Sequence, residues 1–207
     1  MATLVSVDGG LLHYFFFCPF PSWKEKEQPY DVYFRRMISI VRLTPSDAPL
    51  LSKIGGITLI ESHGHSAPAE VMQAYVNKSF SEESCLAELM DEDNIFDAIF
   101  YNGQPAGYSK IVFNCPHPAV ALQPVTKMER LYLLKEFYHL KLGQQLMKQA
   151  IDLSKAGGEL GMWLNVWKGN ERAMRFYSKQ GFEAVGESEF VLTATHSNPN
   201  WVMMLKY

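Results

Sequence analysis

Three stretches of the chain hold side chains whose types and spacing suit chemistry. The first runs from Met128 to Gln145, where Glu129-Arg130-Leu131-Tyr132-Leu133 gives way to Tyr138-His139-Leu140-Lys141-Leu142-Gly143-Gln144. An apolar strand pattern ends there in a short loop, and a helix begins near Gly143. The first N–H groups of a helix have no internal partners and carry partial positive charge. Such a start binds phosphate groups well, and a glycine lets the ligand approach the backbone. Taken alone, a glycine at a helix start is more often a turn device. The second stretch runs from Asn170 to Phe182, after a strand pattern at Leu164–Trp167. It places Ala173, Met174, Phe176 and Tyr177 along one side of a helix capped by Asn170; a purely structural amphipathic helix would look the same. The two stretches in this order, about one helix and one strand apart, are more specific than either. The third is Glu61-Ser62-His63-Gly64-His65. Two histidines two residues apart without a third ligand are weak evidence for a metal, so none is expected. Cys18, Cys85 and Cys115 form no CxxC pair and have no histidine arrangement of a thiol nucleophile.

The surrounding pattern indicates the elements that position these residues. Ile38–Leu43 reads as a strand. Thr44-Pro45-Ser46-Asp47 reads as a capped helix start leading to about Glu61. Ala67–Asn77 and Ser81–Met90 read as short helices, the second capped by Ser81. Ile95–Tyr101 and Ala106–Phe113 are strands joined at Asn102-Gly103, a hairpin signal because both central residues of a type I′ turn need positive φ. Asn114–Pro124 reads as a proline-rich loop and Val125–Leu134 as a strand. Leu142, Leu146, Ala150 and Leu153 mark one helical face, ended by Gly157-Gly158. Met162–Trp167 is a strand. The helix after Asn170 ends at Gly181, and Phe182–Leu192 and Trp201–Tyr207 close the chain as a strand pair. Hairpins with one inserted strand–helix–strand unit make an α+β arrangement.

Composition narrows the class of function. The 207 residues are 47% hydrophobic and 20% charged, an ordinary globular mixture that excludes a disordered or collagen-like chain. A net charge of -3 argues against a nucleic-acid partner. No apolar run approaches the roughly 20 residues of a membrane helix. The stretch Leu11–Phe17 lacks the basic residues and cleavage site of a signal peptide, with Asp8 the only charge before it. Three unpaired cysteines fit a reducing, cytoplasmic setting better than a disulfide framework.

The chemical stretches also carry a resemblance. Ala74-Tyr75, Ser81-Glu82-Glu83, Gly107-Tyr108-Ser109-Lys110, Glu129-Arg130-Leu131-Tyr132, Trp167-Lys168-Gly169-Asn170-Glu171, Phe176-Tyr177 and Gly181-Phe182 resemble the GNAT superfamily of acetyl-CoA-dependent N-acetyltransferases. The resemblance spans about Ile38 to Tyr207. Within the superfamily the chain is similar to bacterial spermine/spermidine acetyltransferases of the PaiA group. It implies a mixed, mainly antiparallel seven-stranded sheet flanked by helices, with the strands around Leu131 and Leu164 splayed to admit acetyl-CoA. The reaction implied is direct acetyl transfer in a ternary complex to a primary amine, a polyamine or another small amine. The alternatives are a protein or peptide N-acetyltransferase and a CoA-binding regulatory module without turnover. The expected partners are acetyl-CoA and the amine, with no metal, nucleic acid or membrane, in a monomer or homodimer.

The resemblance also implies roles for residues. An alkylamine has a pKa near 10.4, so only about one molecule in two thousand is neutral at pH 7. Glu129 is the expected base, acting through water; the competing reading is a strand carboxylate paired with Arg130 or a lysine. Tyr177 is the expected general acid for the departing thiolate. A backbone N–H near Leu131–Leu133 would stabilise the oxyanion, a contribution of roughly 3 to 4 kcal/mol. Acetyl-CoA contacts are expected from Leu131, Tyr132, Leu133, His139, Leu140, Lys141, Leu142, Gly143, Gln144, Asn170 and Tyr177. Glu61, His63 and His65 are expected to shape the acceptor site, and Asp91-Glu92-Asp93 is either an attraction for a cationic amine or a solvated loop. The phosphate loop departs from the family pattern, with Tyr138 for the leading Gln or Arg and Lys141 for the first glycine. Residues 1–36 read as an N-terminal extension to a domain spanning 37–207. Met37 directly precedes the first domain strand, which suggests a non-native segment or a mis-called start; the alternative is an arm that packs Tyr14–Phe17 on the domain or a partner.

Overall fold

The computed structural model describes residues 37–194 and 196–207. The reading of residues 1–36, with the apolar run at Tyr14–Phe17 and Cys18, lies outside the described residues. The described chain forms seven strands and five α-helices. In order they are β1 (Ile38–Arg42), α1 (Ala48–His63), α2 (Ala69–Ser79), α3 (Glu82–Met90), β2 (Asn94–Tyr101), β3 (Gln104–Val112) and β4 (Thr126–Leu133). Then come α4 (Leu142–Ala156), β5 (Gly161–Trp167), α5 (Glu171–Lys179), β6 (Glu183–Thr193) and β7 (His196–Lys206). The strands form one sheet in the order β1-β2-β3-β4-β5-β7-β6. Every neighbouring pair is antiparallel except β4 and β5.

The β2 sequence shows how the sheet acquires two covered faces. Its alternate residues Phe96 and Ala98 enter the core beneath α1–α3, with Leu51, Ile54 and Met72. Ile99, the next residue along, enters a second core with Leu142 and Leu146 of α4. Side chains on a strand alternate between faces, so a strand apolar at both parities must be covered on both sides. The hairpin between β2 and β3 turns at Asn102 and Gly103, whose φ values of 50° and 79° are both positive. Gly107 in β3 sits against β4 so closely that a Cβ would lie 2.2 Å from the Tyr132 carbonyl oxygen.

Thr44 opens a short 3-10 turn (Pro45–Asp47) before α1, with its N–H donating to Asp47 Oδ2 at 2.8 Å. Ser81 and Asn170 cap α3 and α5 by accepting from the N–H groups of Ser84 and Ala173. The end of the chain differs from the sequence expectation, because β7 begins at His196 rather than Trp201. The Asn198-Pro199-Asn200 run looks like a turn. The Pro199 carbonyl, however, faces the β5 side and accepts from the Lys168 N–H, beyond the last β5–β7 pair at Trp167 and Asn200. The missing proline N–H therefore removes no rung of that ladder.

Candidate active site

The site begins with an irregularity in β4. Lys110 pairs with Arg130 and Ile111 with Met128, leaving Glu129 as an extra residue opposite the β3 ladder. Such a bulge bends its strand and strengthens the local twist. On the other side, β4 pairs with β5 only at Thr126–Met162 and Lys127–Trp163. Beyond Lys127 the two parallel strands part, and the β4 edge has no strand partner there among the described residues. The Leu134 N–H donates to Ala106 of β3. By alternation, the Leu131 and Leu133 backbone groups therefore face the gap.

The gap opens into a cleft of about 650 Å³. Leu131, Tyr132, Leu133, Gly143, Asn170 and Tyr177 line it, bringing together six of the residues expected to contact the cofactor. His139, Leu140, Lys141, Leu142 and Gln144 are not on its wall. They form the loop and first turn of α4, where His139 and Lys141 adopt φ of 69° and 60°. The Leu142 side chain is fully buried in the core, so only its backbone is available to a ligand. Lys141 occupies the N-cap of α4 without a side-chain capping bond, leaving the first N–H groups of the helix to a partner from outside it. The cleft also holds a residue missed in the sequence. The Arg172 guanidinium lies 3.2 Å from the Tyr138 ring centroid, and both residues line the cleft. The tyrosine at the departing loop position, with an arginine as the second residue of α5, was the available signal.

A second cavity of about 250 Å³ lies against the first. His63, Glu129, Arg130, Tyr132 and Trp167 border both. Its own walls come from α1, α2, β6 and β7, including Tyr75, Phe190, Asn198 and Asn200. His63 thus stands at the junction of the two cavities. Glu61 and His65 line only the larger cleft. Glu61 is tied down: its Oε2 accepts from the Lys135 N–H at 2.8 Å. His65 packs against Trp167 with ring centroids 5.2 Å apart. Asp91–Asp93 lie on neither cavity; Asp91 accepts from the Asp93 N–H and the Asn94 amide, which makes the run a local turn. Cys85 is buried, and burial pushes its thiol up to about 11, which suits packing rather than nucleophilic chemistry.

The charges around Glu129 form a network. Lys110 Nζ donates to Oε1 at 2.9 Å and Lys127 Nζ to Oε2 at 3.1 Å. Glu88 takes a two-pronged bond from Arg130 at 2.7 and 2.8 Å and lies 3.6 Å from Lys110. Burial alone would raise the Glu129 pKa, but the hydrogen bond and charge of Lys110, joined by Lys127, outweigh it and hold it at about 2. The lysine pairing weighed in the sequence is therefore present, and it makes Glu129 a weak proton acceptor. Tyr177 is buried between Phe176 and Phe182, and burial, followed by the nearby Tyr132, drives its pKa far above the usual range. Its phenol therefore stays protonated, a standing O–H donor. His63 is lowered to about 4 by burial and by His65, so its ring is neutral near pH 7.

A sheet that splits at one parallel pair, with a free strand edge, a helix start and a buried phenol around the gap, defines a nucleotide-thioester acyltransferase scaffold. The acetyltransferase (GNAT) family model matches residues 59–182, and the chain belongs to that family. It is thus an acetyl-CoA-dependent N-acetyltransferase. An uncharacterized N-acetyltransferase from the pepI 3′ region of Lactobacillus delbrueckii subsp. lactis is 28% identical over 155 residues, 75% of this chain and 90% of that protein. The spermidine N(1)-acetyltransferase of Thermoplasma acidophilum is 26% identical over 160 residues, 75% of this chain and 95% of the relative. Among solved structures, the PaiA N-acetyltransferase of Thermoplasma acidophilum in complex with coenzyme A superposes with a TM-score of 0.67 at 22% identity. The match covers 83% of this chain and 99% of that one and establishes a shared fold.

Proposed function

We propose that this enzyme transfers the acetyl group of acetyl-CoA directly to a small primary amine, with the thioester in the larger cleft and the amine entering from the smaller cavity. The observation that carries this reading is the shared wall at Glu129, Arg130 and Tyr132, where two ligands can meet. Acetyl-CoA supplies an activated acetyl thioester. The chain's own groups do the rest. The unpaired β4 edge takes an extended ligand as an added strand, and the start of α4, with Arg172, takes phosphates. The Leu131 and Leu133 N–H groups face the gap where the oxyanion forms. The amine nitrogen adds to the thioester carbonyl and its proton passes to water. As the resulting oxyanion collapses, the C–S bond breaks and Tyr177 donates its proton to the departing sulfur; solvent then returns a proton to Tyr177.

The proton balance follows from the charges. Glu129, held at about 2, positions the amine or an intervening water by accepting a hydrogen bond, rather than storing its proton. Lys127 and Arg130 line the smaller cavity. Nearby cations and desolvation both disfavour an ammonium, so the amine is bound in its neutral, nucleophilic form. A polyamine acceptor is suggested by the Thermoplasma spermidine enzyme. The test is release of CoA thiol from acetyl-CoA across a panel of diamines, polyamines, arylalkylamines, amino acids and peptides. Acetyl-CoA binding without thiol release on any amine would refute the reading.

A further inference from the structure

The smaller cavity differs from the cleft beside it in the residues that belong to it alone. Tyr75, Phe190 and Leu192 line it and do not line the larger cleft. Phe190 is exposed and Tyr75 and Leu192 are half-buried, so each keeps accessible surface. Tyr75 and Phe190 meet edge to face with ring centroids 5.7 Å apart. Tyr75 and Leu192 pack on a core that includes Leu59, Met72 and Phe80, which also line the cavity. The uncharged polar residues of this group, Ser66, Asn198 and Asn200, are all buried. A body attached to an amine at the shared wall, and extending away from the donor cleft, therefore meets mainly apolar surface.

The charges on this wall are already claimed. Glu129 is its one carboxylate among the described residues, and its two oxygens accept from Lys110 and Lys127. Arg130 gives a two-pronged bond to Glu88, which does not line the cavity. Lys127 is engaged by Glu129 and by the Trp163 ring, 5.5 Å from its centroid. Aromatic faces can hold an ammonium. Arg130, however, lies over Phe80 at 5.0 Å, and His63 packs against Tyr132 and Trp167 with ring centroids 5.9 and 6.1 Å apart. The reacting amine has Glu129 to position it. A second ammonium on the same molecule would meet two cations and no unclaimed carboxylate. A charge taken from water into such surroundings is costly unless paired, whereas an alkyl or aryl group gains by burying apolar surface.

We propose that the acceptor is a monoamine, a primary amine whose uncharged alkyl or aryl body lies among Tyr75, Phe190 and Leu192. This rests on the acetyl-transfer reading above. It sets the acceptor apart from a polyamine, whose remaining ammonium groups need partners that this wall does not offer. The cavity has the volume of about eight waters, room for a ring or a short chain.

The test compares n-pentylamine with putrescine, two amines of equal length that differ at one end, methyl against ammonium. Thiol release from acetyl-CoA gives kcat/KM for each, and calorimetry gives their binding to the CoA-loaded protein. Pentylamine is expected to exceed putrescine by about tenfold or more, and phenethylamine to exceed spermidine in the same direction. A pentylamine to putrescine ratio below about threefold overturns this inference while leaving the acetyl-transfer reading intact. Phe190→Glu, at an exposed position of β6, places a carboxylate on the wall, so the ratio should fall by about tenfold. A merely structural effect of that substitution would lower both amines alike, and an unchanged ratio overturns the placement of the body. If no amine is acetylated, but pentylamine binds better than putrescine and loses that advantage in Phe190→Glu, the cavity assignment stands and the acetyl-transfer reading fails. If neither amine is acetylated or bound, both are overturned.

Discussion

Replacing Lys110 by methionine tests the charge network beside the cleft. The Lys110 side chain is 6% exposed and joins Glu129 at 2.9 Å, Glu88 at 3.6 Å and the face of Phe96 at 5.5 Å. Methionine keeps much of the stem against Phe96 and removes the charge. Removing one partner of a buried pair costs about 3 to 5 kcal/mol. Glu129 keeps Lys127 and Glu88 keeps Arg130, so the low end applies, about 3 kcal/mol at pH 7. In a domain of this size that corresponds to about 6 to 12 °C in Tm. The effect has a defined pH dependence. Glu129 has its folded pKa depressed from 4.5 to about 2. The stability this gives is complete above the unfolded value and fades as pH falls toward 2. Lys110 supplies the strongest lowering, so the gap between wild type and Lys110→Met should be full at pH 7 and narrow below pH 4.5. Urea denaturation at pH 7, 5 and 3.5 measures it. A gap below about 1 kcal/mol at pH 7, or one that stays constant down to pH 3.5, would refute the reasoning.

Four further outcomes are expected. Tyr177→Phe should lower kcat by about a hundredfold with little change in thermal stability, since both rings pack between Phe176 and Phe182; unchanged turnover would remove its role as proton donor. Gly107→Ala should destabilise the fold by about 2 to 3 kcal/mol and depress turnover with it. The added carbon would strike the Tyr132 carbonyl and displace the cleft wall, and a Tm within 2 °C of wild type would contradict this. Arg172→Gln should raise KM for acetyl-CoA by about fivefold at unchanged kcat, read from initial rates. His63 should titrate near 4 rather than 6.5 by NMR. Its neutral form is favoured by folding, so its contribution to stability is full above pH 6.5 and lost as pH falls toward 4, a slope that His63→Gln should flatten.

The elements with local punctuation were legible in the sequence. Ser81 and Asn170 at helix starts, Asn102-Gly103 in its turn and the apolar run of β2 all act through neighbours a few positions away. The start of β7 was hidden because Pro199 is harmless only where β5 has already ended, a fact about another strand. At the site, the line from Leu131 to Leu133, Gly143, Asn170 and Tyr177 was visible as motif. A lysine partner for Glu129 could be weighed from the sequence, but not which lysines close on it. Lys110 lies on β3, 19 positions before Glu129, and reaches it through a bulge that no spacing announces. Asn198 and Asn200 read as turn residues and reach the smaller cavity only because β7 inserts between β5 and β6.

The wall that the two cavities share also divides the chain's capacity to change. On the proposed reading the donor lies against the end of β4 and the starts of α4 and α5, whereas the smaller cavity, assigned to the acceptor, is completed by α1, α2, β6 and β7. Substitutions at Tyr75, Phe190, Asn198 or Asn200 can reshape which amine is accepted without touching a residue that lines the donor cleft. A lineage, or a directed library, can therefore sample new acceptors while inheriting an intact acetyl donor site. Only the few shared positions, such as Tyr132 and Trp167, would force both specificities to drift together.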